Sequence, residues 1–272
     1  MELTGEQLKV AETQLRRFLP QSQQVYGHLV LRNRVGSYPI KILVDHWPDF
    51  SVIVCQPQYE QKGDLFKDSW VFAIDEAILK ETIRKANVMN WTKYLCFAID
   101  LCYEETVKAV ASERNVSGSK VAVCHKMILE DISNLPSIDS SGVSLGSLDE
   151  SHVGLVNRTW KFGQEEGSGV FLRDMIAHFP SCCVLDAERQ PVAWILTYAS
   201  CAMGVLYTLP EHRGKGYAKV LVSTMAKKLH AQGFPVYCFI EEENLVSHRL
   251  FTNLGFTEDP SYRAAWFVFN SS

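Results

Sequence analysis

Residues 203–232 read MGVLYTLPEHRGKGYAKVLVSTMAKKLHAQ, and this stretch contains three kinds of local pattern. Met203–Thr208 is mostly apolar and predicts a strand. Leu209–Gly216 is polar and holds a proline and two glycines, which is typical of a turn. The apolar residues that follow recur at offsets of 0, 3, 4, 7 and 11, so they predict an amphipathic helix over Tyr217–Gln232.

The residues on both sides continue this alternation of strand and helix. After Gly233 ends the helix, Val236–Ile240 predicts a strand, Leu245–Leu254 a helix and Ala264–Phe269 a last strand. Upstream, helices are predicted at Glu150–Lys161 and Gly169–His178, and strands at Cys182–Asp186 and Pro191–Tyr198. This order predicts an α/β fold with a mixed sheet, built on a βαβ crossover.

The turn Arg213–Gly216 has the properties of a phosphate cradle. It precedes a helix whose first amides have no internal partners, and the helix dipole is positive at that end. Glycines let the backbone approach an anion closely, and Arg213 and Lys215 add positive charge. A mononucleotide P-loop is excluded because Gly216 follows Lys215 where Ser or Thr is needed. A dinucleotide fingerprint is excluded because its third glycine would fall at Lys219.

Composition restricts the class of protein further. The chain has 272 residues, 47% of them hydrophobic, and a net charge of −4, which is typical of a globular protein and argues against nucleic acid as a partner. No apolar run reaches the length of about 20 residues that a membrane span requires. The eight cysteines show no Cys-x-x-Cys pair. We therefore expect reduced thiols that fill the core and no metal site.

The first half of the chain mixes helices and strands. Helices are predicted at Glu6–Phe18, Asp75–Lys85 and Trp91–Val110, and extended segments at Val25–Leu31 and Ile40–Val44. A small, polar, turn-rich segment over residues 133–142 is typical of a domain boundary. We therefore predict two domains, 1–135 and 136–272.

Three groups of residues resemble the GNAT N-acyltransferase superfamily. The sequence Arg213-Gly214-Lys215-Gly216-Tyr217-Ala218 matches its Arg-x-x-Gly-x-Ala loop, which binds the pyrophosphate of acyl-CoA. Asn244 and Leu250–Phe256 resemble its second cofactor-contacting segment. Val25–Gly27 and Val44–Phe50 are similar to the first domain of the glycine N-acyltransferase-like family in particular.

This resemblance implies a fold, a reaction and a set of contact residues. The fold is a GNAT domain in the C-terminal half, preceded by a smaller GNAT-like α/β domain that could be degenerate. The reaction moves an acyl group from acyl-CoA, a co-substrate and not a resident cofactor, directly to the amino group of a small amino acid, glycine first and glutamine next. The residues expected to contact coenzyme A are Leu206, Tyr207, Thr208, Leu209, Arg213, Gly214, Lys215, Gly216, Tyr217, Ala218, Asn244, Ser247 and Phe251, with Ile240 lining the same slot.

The chain departs from the family pattern at two catalytic positions. The glutamate expected as general base is replaced by Ala202, and the tyrosine that many GNAT enzymes use to protonate the thiolate is replaced by Phe251. Glu241, Glu243 and His248 are alternative bases, but each is more simply a surface residue, so no catalytic residue is assigned. A weak or inactive CoA-binding protein, and an acetyltransferase that acts on protein or peptide amines, therefore stay open as alternatives.

The location is predicted from the resemblance alone. The family is commonly mitochondrial, and a monomer is expected. Glu2, Glu6 and Glu12 near the N-terminus are unlike an acid-poor transit peptide, so the cytoplasm is the alternative location.

Overall fold

The computed structural model describes residues 1–35, 39–58 and 67–270. Contacts between Cα atoms divide these residues into two compact units. The first contains residues 1–58, 67–126 and 259–270, and the second contains residues 127–258. This division differs from the boundary predicted between residues 135 and 136, because the C-terminal segment returns to the first unit.

The helices are α1 (Gly5–Leu15), α2 (Gln23–Val35), α3 (Glu76–Arg84), α4 (Glu104–Glu113), α5 (Val153–Thr159), α6 (Ser168–His178), α7 (Tyr217–Ala231) and α8 (Leu245–Asn253). The strands are β1 (Ile40–Val44), β2 (Val52–Pro57), β3 (Asp68–Ala73), β4 (Leu95–Asp100), β5 (Gly118–Ile128), β6 (Ser144–Gly146), β7 (Cys182–Leu185), β8 (Pro191–Thr197), β9 (Met203–Thr208), β10 (Tyr237–Glu241) and β11 (Thr257–Phe269). Short 3₁₀ turns lie at Arg16–Phe18, Leu101–Tyr103, Ile132–Asn134, Glu150–His152 and Pro210–His212.

In the first unit, neighbouring strands follow the order β1-β2-β3-β4-β11. The β1/β2, β2/β3 and β4/β11 pairs are antiparallel, and β3/β4 is parallel. The last strand is held in register by pairs such as Phe267 with Phe97. One face of this sheet forms an apolar core with α3 and α4, in which Leu79, Phe97 and Val107 are fully buried.

In the second unit, neighbouring strands follow the order β10-β9-β8-β7-β6. The pairs from β6 to β9 are antiparallel, and β9/β10 is parallel. Helix α7 forms the crossover between β9 and β10 and buries its apolar stripe, including Leu221, Met225 and Leu229, against the sheet. The α/β fold with a mixed sheet that the sequence predicts is therefore confirmed.

Two predictions for the first half are wrong. Val25–Leu31 was predicted as extended and lies inside α2, where Gln23–Leu31 is buried throughout and so shows no amphipathic pattern. Trp91–Val110 was predicted as one helix and contains the buried strand β4 followed by the start of α4. A fully buried strand gives a continuous apolar run that helix and strand patterns share.

None of the eight cysteines forms a disulfide, as the sequence predicts, and all except Cys102 are buried. Burial raises the pKa of the buried thiols of Cys55 and Cys96 well above the usual value. Among the described residues, no helix combines the length and the apolar character that a bilayer crossing requires.

Candidate functional site

The N-terminus of α7 presents unpaired backbone amides. Gly216 caps the helix in the left-handed conformation at φ 77°, and no side chain contributes a cap hydrogen bond. The amides of Lys219 and Val220 donate hydrogen bonds to the Gly216 carbonyl, at 3.1 and 3.3 Å. Within the described part of the chain, the amides of Tyr217 and Ala218 have no acceptor, as expected for the first two positions of a helix. This end of α7 can therefore donate to an anion.

The two glycines of the turn leave space in front of these amides. Gly214 and Gly216 both have positive φ, at 78° and 77°. A Cβ atom added to either one would meet no atom within 4 Å. An anion can therefore approach the backbone closely, and only glycine takes up this conformation without strain.

Two cations flank the same turn. The Arg213 Nε donates to the Thr208 carbonyl at 3.2 Å, and its guanidinium lies 5.6 Å from the ring centroid of Tyr207. Both Arg213 and Lys215 are exposed. The turn therefore adds positive charge to the helix dipole at this position.

Strands β9 and β10 separate beside this turn. Their register contains a single pair, Cys238 with Met203, at the start of β9. Val205 follows with a positive φ of 51°, which is rare for a β-branched residue, where the β8/β9 register shifts. Leu206 and Leu209 are half-buried against the core of the second unit, and Ile240 is buried. The geometry is a slot between two diverging parallel strands, with backbone groups available on its walls.

The second predicted contact segment is only partly accessible. Asn244 is exposed and caps α8, because its Oδ1 accepts from the Ser247 amide at 3.1 Å. Ser247 is half-buried. Phe251 is only 4% exposed and packs edge-on against Phe256, with ring centroids 5.0 Å apart. The structure therefore places the Phe251 side chain in the core of the second unit.

The position expected for the general base lies in a tight, buried turn. Ala202 is 2% exposed, and its carbonyl accepts from the Tyr198 amide at 2.9 Å. The Tyr237 hydroxyl donates to the Ser200 carbonyl in the same turn. Burial raises the pKa of this hydroxyl well above its usual value, so it does not act as a base near neutral pH.

The three alternative bases have different environments. Glu243 is exposed. Glu241, at the end of β10, accepts a hydrogen bond from the Lys161 ammonium, a pairing that no sequence pattern predicts. His248 was interpreted as a surface residue of a helix; it is half-buried, and its Nε2 lies 2.9 Å from Glu258 Oε2.

The corresponding crossover of the first unit has no such turn. Strands β3 and β4 are also parallel and joined by a helix, but they pair over three consecutive positions, from Asp68 with Cys96 to Trp70 with Ala98. The N-terminus of α3 is occupied by the Asp75 carboxylate. Among the residues that the structure describes, only the second unit therefore combines diverging strands with an open helix N-terminus.

Comparisons with known proteins agree with this arrangement. Residues 3–180 match the family model described as aralkyl acyl-CoA:amino acid N-acyltransferase, and residues 184–266 match the FR47-like model. The chain is 31% identical to the glycine N-acyltransferase of Bos taurus over 96% of each chain. Its fold is similar to a Drosophila protein of known structure (TM-score 0.82, 17% identity, 98% and 97% coverage). It is also similar to a GCN5-related N-acetyltransferase from Kribbella flavida (TM-score 0.55, 14% identity, 90% and 96% coverage).

Proposed function

Since the chain belongs to the aralkyl acyl-CoA:amino acid N-acyltransferase family, we propose that it transfers an acyl group from coenzyme A to the amino group of glycine, with glutamine as the next acceptor. The chain is an acyl-CoA-dependent N-acyltransferase with a GNAT fold. The choice of glycine is supported by the bovine relative, whose name specifies it. The biological result is the conjugation of an amino acid with an acyl group.

The observation that carries this proposal is the slot between β9 and β10, which opens beside the uncapped N-terminus of α7. The amides of Tyr217 and Ala218, with Arg213 and Lys215, would hold the pyrophosphate of acyl-CoA. Leu206–Leu209 and Ile240 would line the path of the pantetheine arm. Asn244 and Ser247 lie at the N-terminus of the next helix and would contribute from the other side.

The transfer needs no covalent intermediate on the protein. The acceptor ammonium first loses one proton, and its nitrogen then bonds to the thioester carbonyl carbon. The carbon–sulfur bond breaks, and a second proton passes from that nitrogen to the departing sulfur. Holding the two reactants in line supplies much of the acceleration, because a bimolecular step becomes effectively unimolecular.

The alanine at position 202 limits the rate of this reaction. The α-amino group of a peptide has a pKa of about 8, and that of a free amino acid is higher because of its carboxylate. The acceptor is therefore mostly protonated at neutral pH, and each pH unit below its pKa costs about tenfold in reactive amine. With Ala202 in a buried turn, no carboxylate at that position removes the proton. We therefore expect a slow enzyme whose rate follows the fraction of neutral acceptor.

A panel assay tests the proposal. The purified chain is incubated with benzoyl-, phenylacetyl- or acetyl-CoA and with glycine, glutamine, other amino acids or a short peptide, and free thiol is followed. Release that depends on glycine supports the proposal. Release with the peptide alone identifies an acetyltransferase of protein or peptide amines. Micromolar binding of coenzyme A without any release identifies a CoA-binding protein, the alternative that Ala202 and the buried Phe251 favour.

We propose a mitochondrial location and a monomeric state for the same protein. The location is supported by the family resemblance, and the cytoplasm is the alternative. The monomer is supported by the position of the slot and the α7 N-terminus, which one unit of one chain provides together. Imaging of the tagged chain in cells and light scattering after gel filtration test the two statements.

A further inference from the structure

An exposed ion pair joins the end of β10 to the segment between α5 and α6. The Lys161 ammonium donates to Glu241 Oε1, although the two residues are 80 positions apart in sequence. Their side chains are 53% and 43% exposed, so solvent reaches both charges. Lys161 also lies over the ring of Phe162, 4.7 Å from its centroid, which restricts the position of its ammonium.

Glu241 points to one defined face of its strand. Cys238 and Ile240 lie in the core of the second unit, on the side of α7. Successive side chains of a strand point to opposite faces, so Phe239 and Glu241 share the other face. The edge-on contact of Phe239 with Tyr237, with ring centroids 5.5 Å apart, agrees with this assignment.

The same face of β9 carries Tyr207. Tyr207 pairs in register with Trp194 and stacks on its ring at 5.6 Å, whereas the neighbouring residues Ala193 and Ile195 lie in the core on the opposite side. Cross-strand partners lie on one face of a sheet. The side chains of Glu241 and Tyr207 therefore point to the same face of the two diverging strands.

A series of aromatic contacts connects Trp160, the neighbour of Lys161, to this face of the sheet. Trp160 stacks on Phe171 of α6 at 5.9 Å, and Phe171 contacts Tyr198 at 6.3 Å. The Tyr198 ring lies against Gly204 of β9, where an added Cβ would come within 2.2 Å of it. The pair therefore stands at the edge of the slot, on the face opposite to α7.

A free amino acid carries the same two charges, a carboxylate and an ammonium separated by one carbon atom. We propose that Lys161 and Glu241 are the recognition pair for the acceptor, an inference that rests on the proposed function. Lys161 binds the acceptor carboxylate, and Glu241 binds its ammonium at the edge of the thioester slot. Exposed ion pairs contribute little to stability. Lys161 can therefore leave Glu241 and bind the carboxylate of the amino acid, and Glu241 can bind the ammonium.

The test compares glycine with glycinamide, which lacks the carboxylate. Lys161→Gln is expected to raise the KM for glycine about tenfold or more and to leave that for glycinamide unchanged, since one charge-assisted contact is lost. Glu241→Gln is expected to raise both values. The KM for acyl-CoA stays the same in both variants. Arg173→Gln, which breaks the exposed ion pair of Arg173 with Glu150, is the matched control and leaves all values unchanged.

The double variant Lys161→Glu/Glu241→Lys separates recognition from a structural role, because it rebuilds the ion pair with reversed polarity. A KM for glycine that returns to the wild-type value in this variant would overturn the inference, and so would equal shifts for glycine and glycinamide in Lys161→Gln. If the wild type turns over no acceptor, the proposed function fails. Calorimetric binding of glycine to the chain saturated with coenzyme A then decides the inference: loss in Lys161→Gln supports it, and unchanged or absent binding overturns it.

Discussion

The Asp75 carboxylate accepts a hydrogen bond from the Ile78 amide at 2.9 Å, so a side chain of the protein itself fills the N-terminus of α3. At the equivalent end of α7 the cap is Gly216, which has no side chain. A negative charge at a helix N-terminus stabilises the helix and repels a second anion there. The two crossovers share a topology, but only the N-terminus of α7, and not that of α3, is open to an anion.

We therefore expect the chain to bind one coenzyme A, at α7. Calorimetric titration of the full chain with coenzyme A is expected to give one site per chain, because Asp75 and Glu76 occupy the first turn of α3. A stoichiometry of two would contradict this interpretation of the first unit.

Adding a methyl group to the cap of α7 is expected to weaken the binding of coenzyme A. In Gly216→Ala, the new Cβ extends into the open space in front of the Tyr217 and Ala218 amides. Losing close contact between these amides and a charged group corresponds to about tenfold to a hundredfold in affinity. Calorimetry measures the change in Kd.

The control for this variant is Gly142→Ala. Gly142 also has a positive φ, at 74°, and an added Cβ there would also meet no atom within 4 Å. Both variants therefore carry the same backbone strain, about 1 kcal/mol, but only one of them lies at α7. If the two variants have equal affinities for coenzyme A, the pyrophosphate does not bind at the N-terminus of α7.

Introducing the missing carboxylate is expected to accelerate the reaction. In Ala202→Glu, burial raises the pKa of the new carboxyl toward neutrality, where it acts best as a general base. We expect kcat/KM for glycine at pH 7 to rise at least about tenfold, and its dependence on pH to become weaker than the wild-type slope of about tenfold per unit. Rates of the wild type and the variant are compared from pH 6 to 9.

Ala202→Gln has the same shape as the glutamate variant and no basic group, so it serves as the control. A gain of equal size in both variants would show that packing, and not proton transfer, limits the wild type.

The first unit is expected to lose stability in acid through His28. Burial lowers the pKa of this imidazole to about 3, and neither ring nitrogen has a partner among the described residues. The unfolded chain takes up the proton near pH 6.5 and the folded chain does not, so stability falls as the pH drops from about 6.5 toward 3. The loss between pH 7 and 5 is about 2 kcal/mol.

Urea denaturation at the two pH values measures this loss. His28→Gln removes the titrating group and is expected to reduce the difference between pH 7 and 5, whereas His230→Gln, at an exposed position, is expected to retain it. The same acid loss in all three proteins would assign the effect to other groups.

The second unit was predictable because its signals are local. Residues close together in sequence encode each of three features: the apolar stripe of α7, the glycines at 214 and 216, and the short apolar strand β10. The structure has all three near the predicted bounds. The first unit was less predictable, because α2 is buried on all sides over nine residues and β5 carries polar residues such as Lys120 and His125, which hide its strand pattern.

The remaining features depend on contacts that no local pattern encodes. Lys161 and Glu241 meet across 80 residues, and Phe269 pairs with Leu95 across a still longer separation. Phe251 sits on the same short helix as Ser247, and only its packing against Phe256 shows which way it points.

Because β11 completes the sheet of the first unit, strands β1 to β4 are translated long before the strand that closes their sheet. The described residues of the second unit, 127–258, form one stretch of the chain, whereas the first unit needs segments on both sides of that stretch to complete its sheet. A nascent chain halted before Asp259 would carry a β4 edge without its neighbour, and chaperones would meet this protein through its N-terminal part.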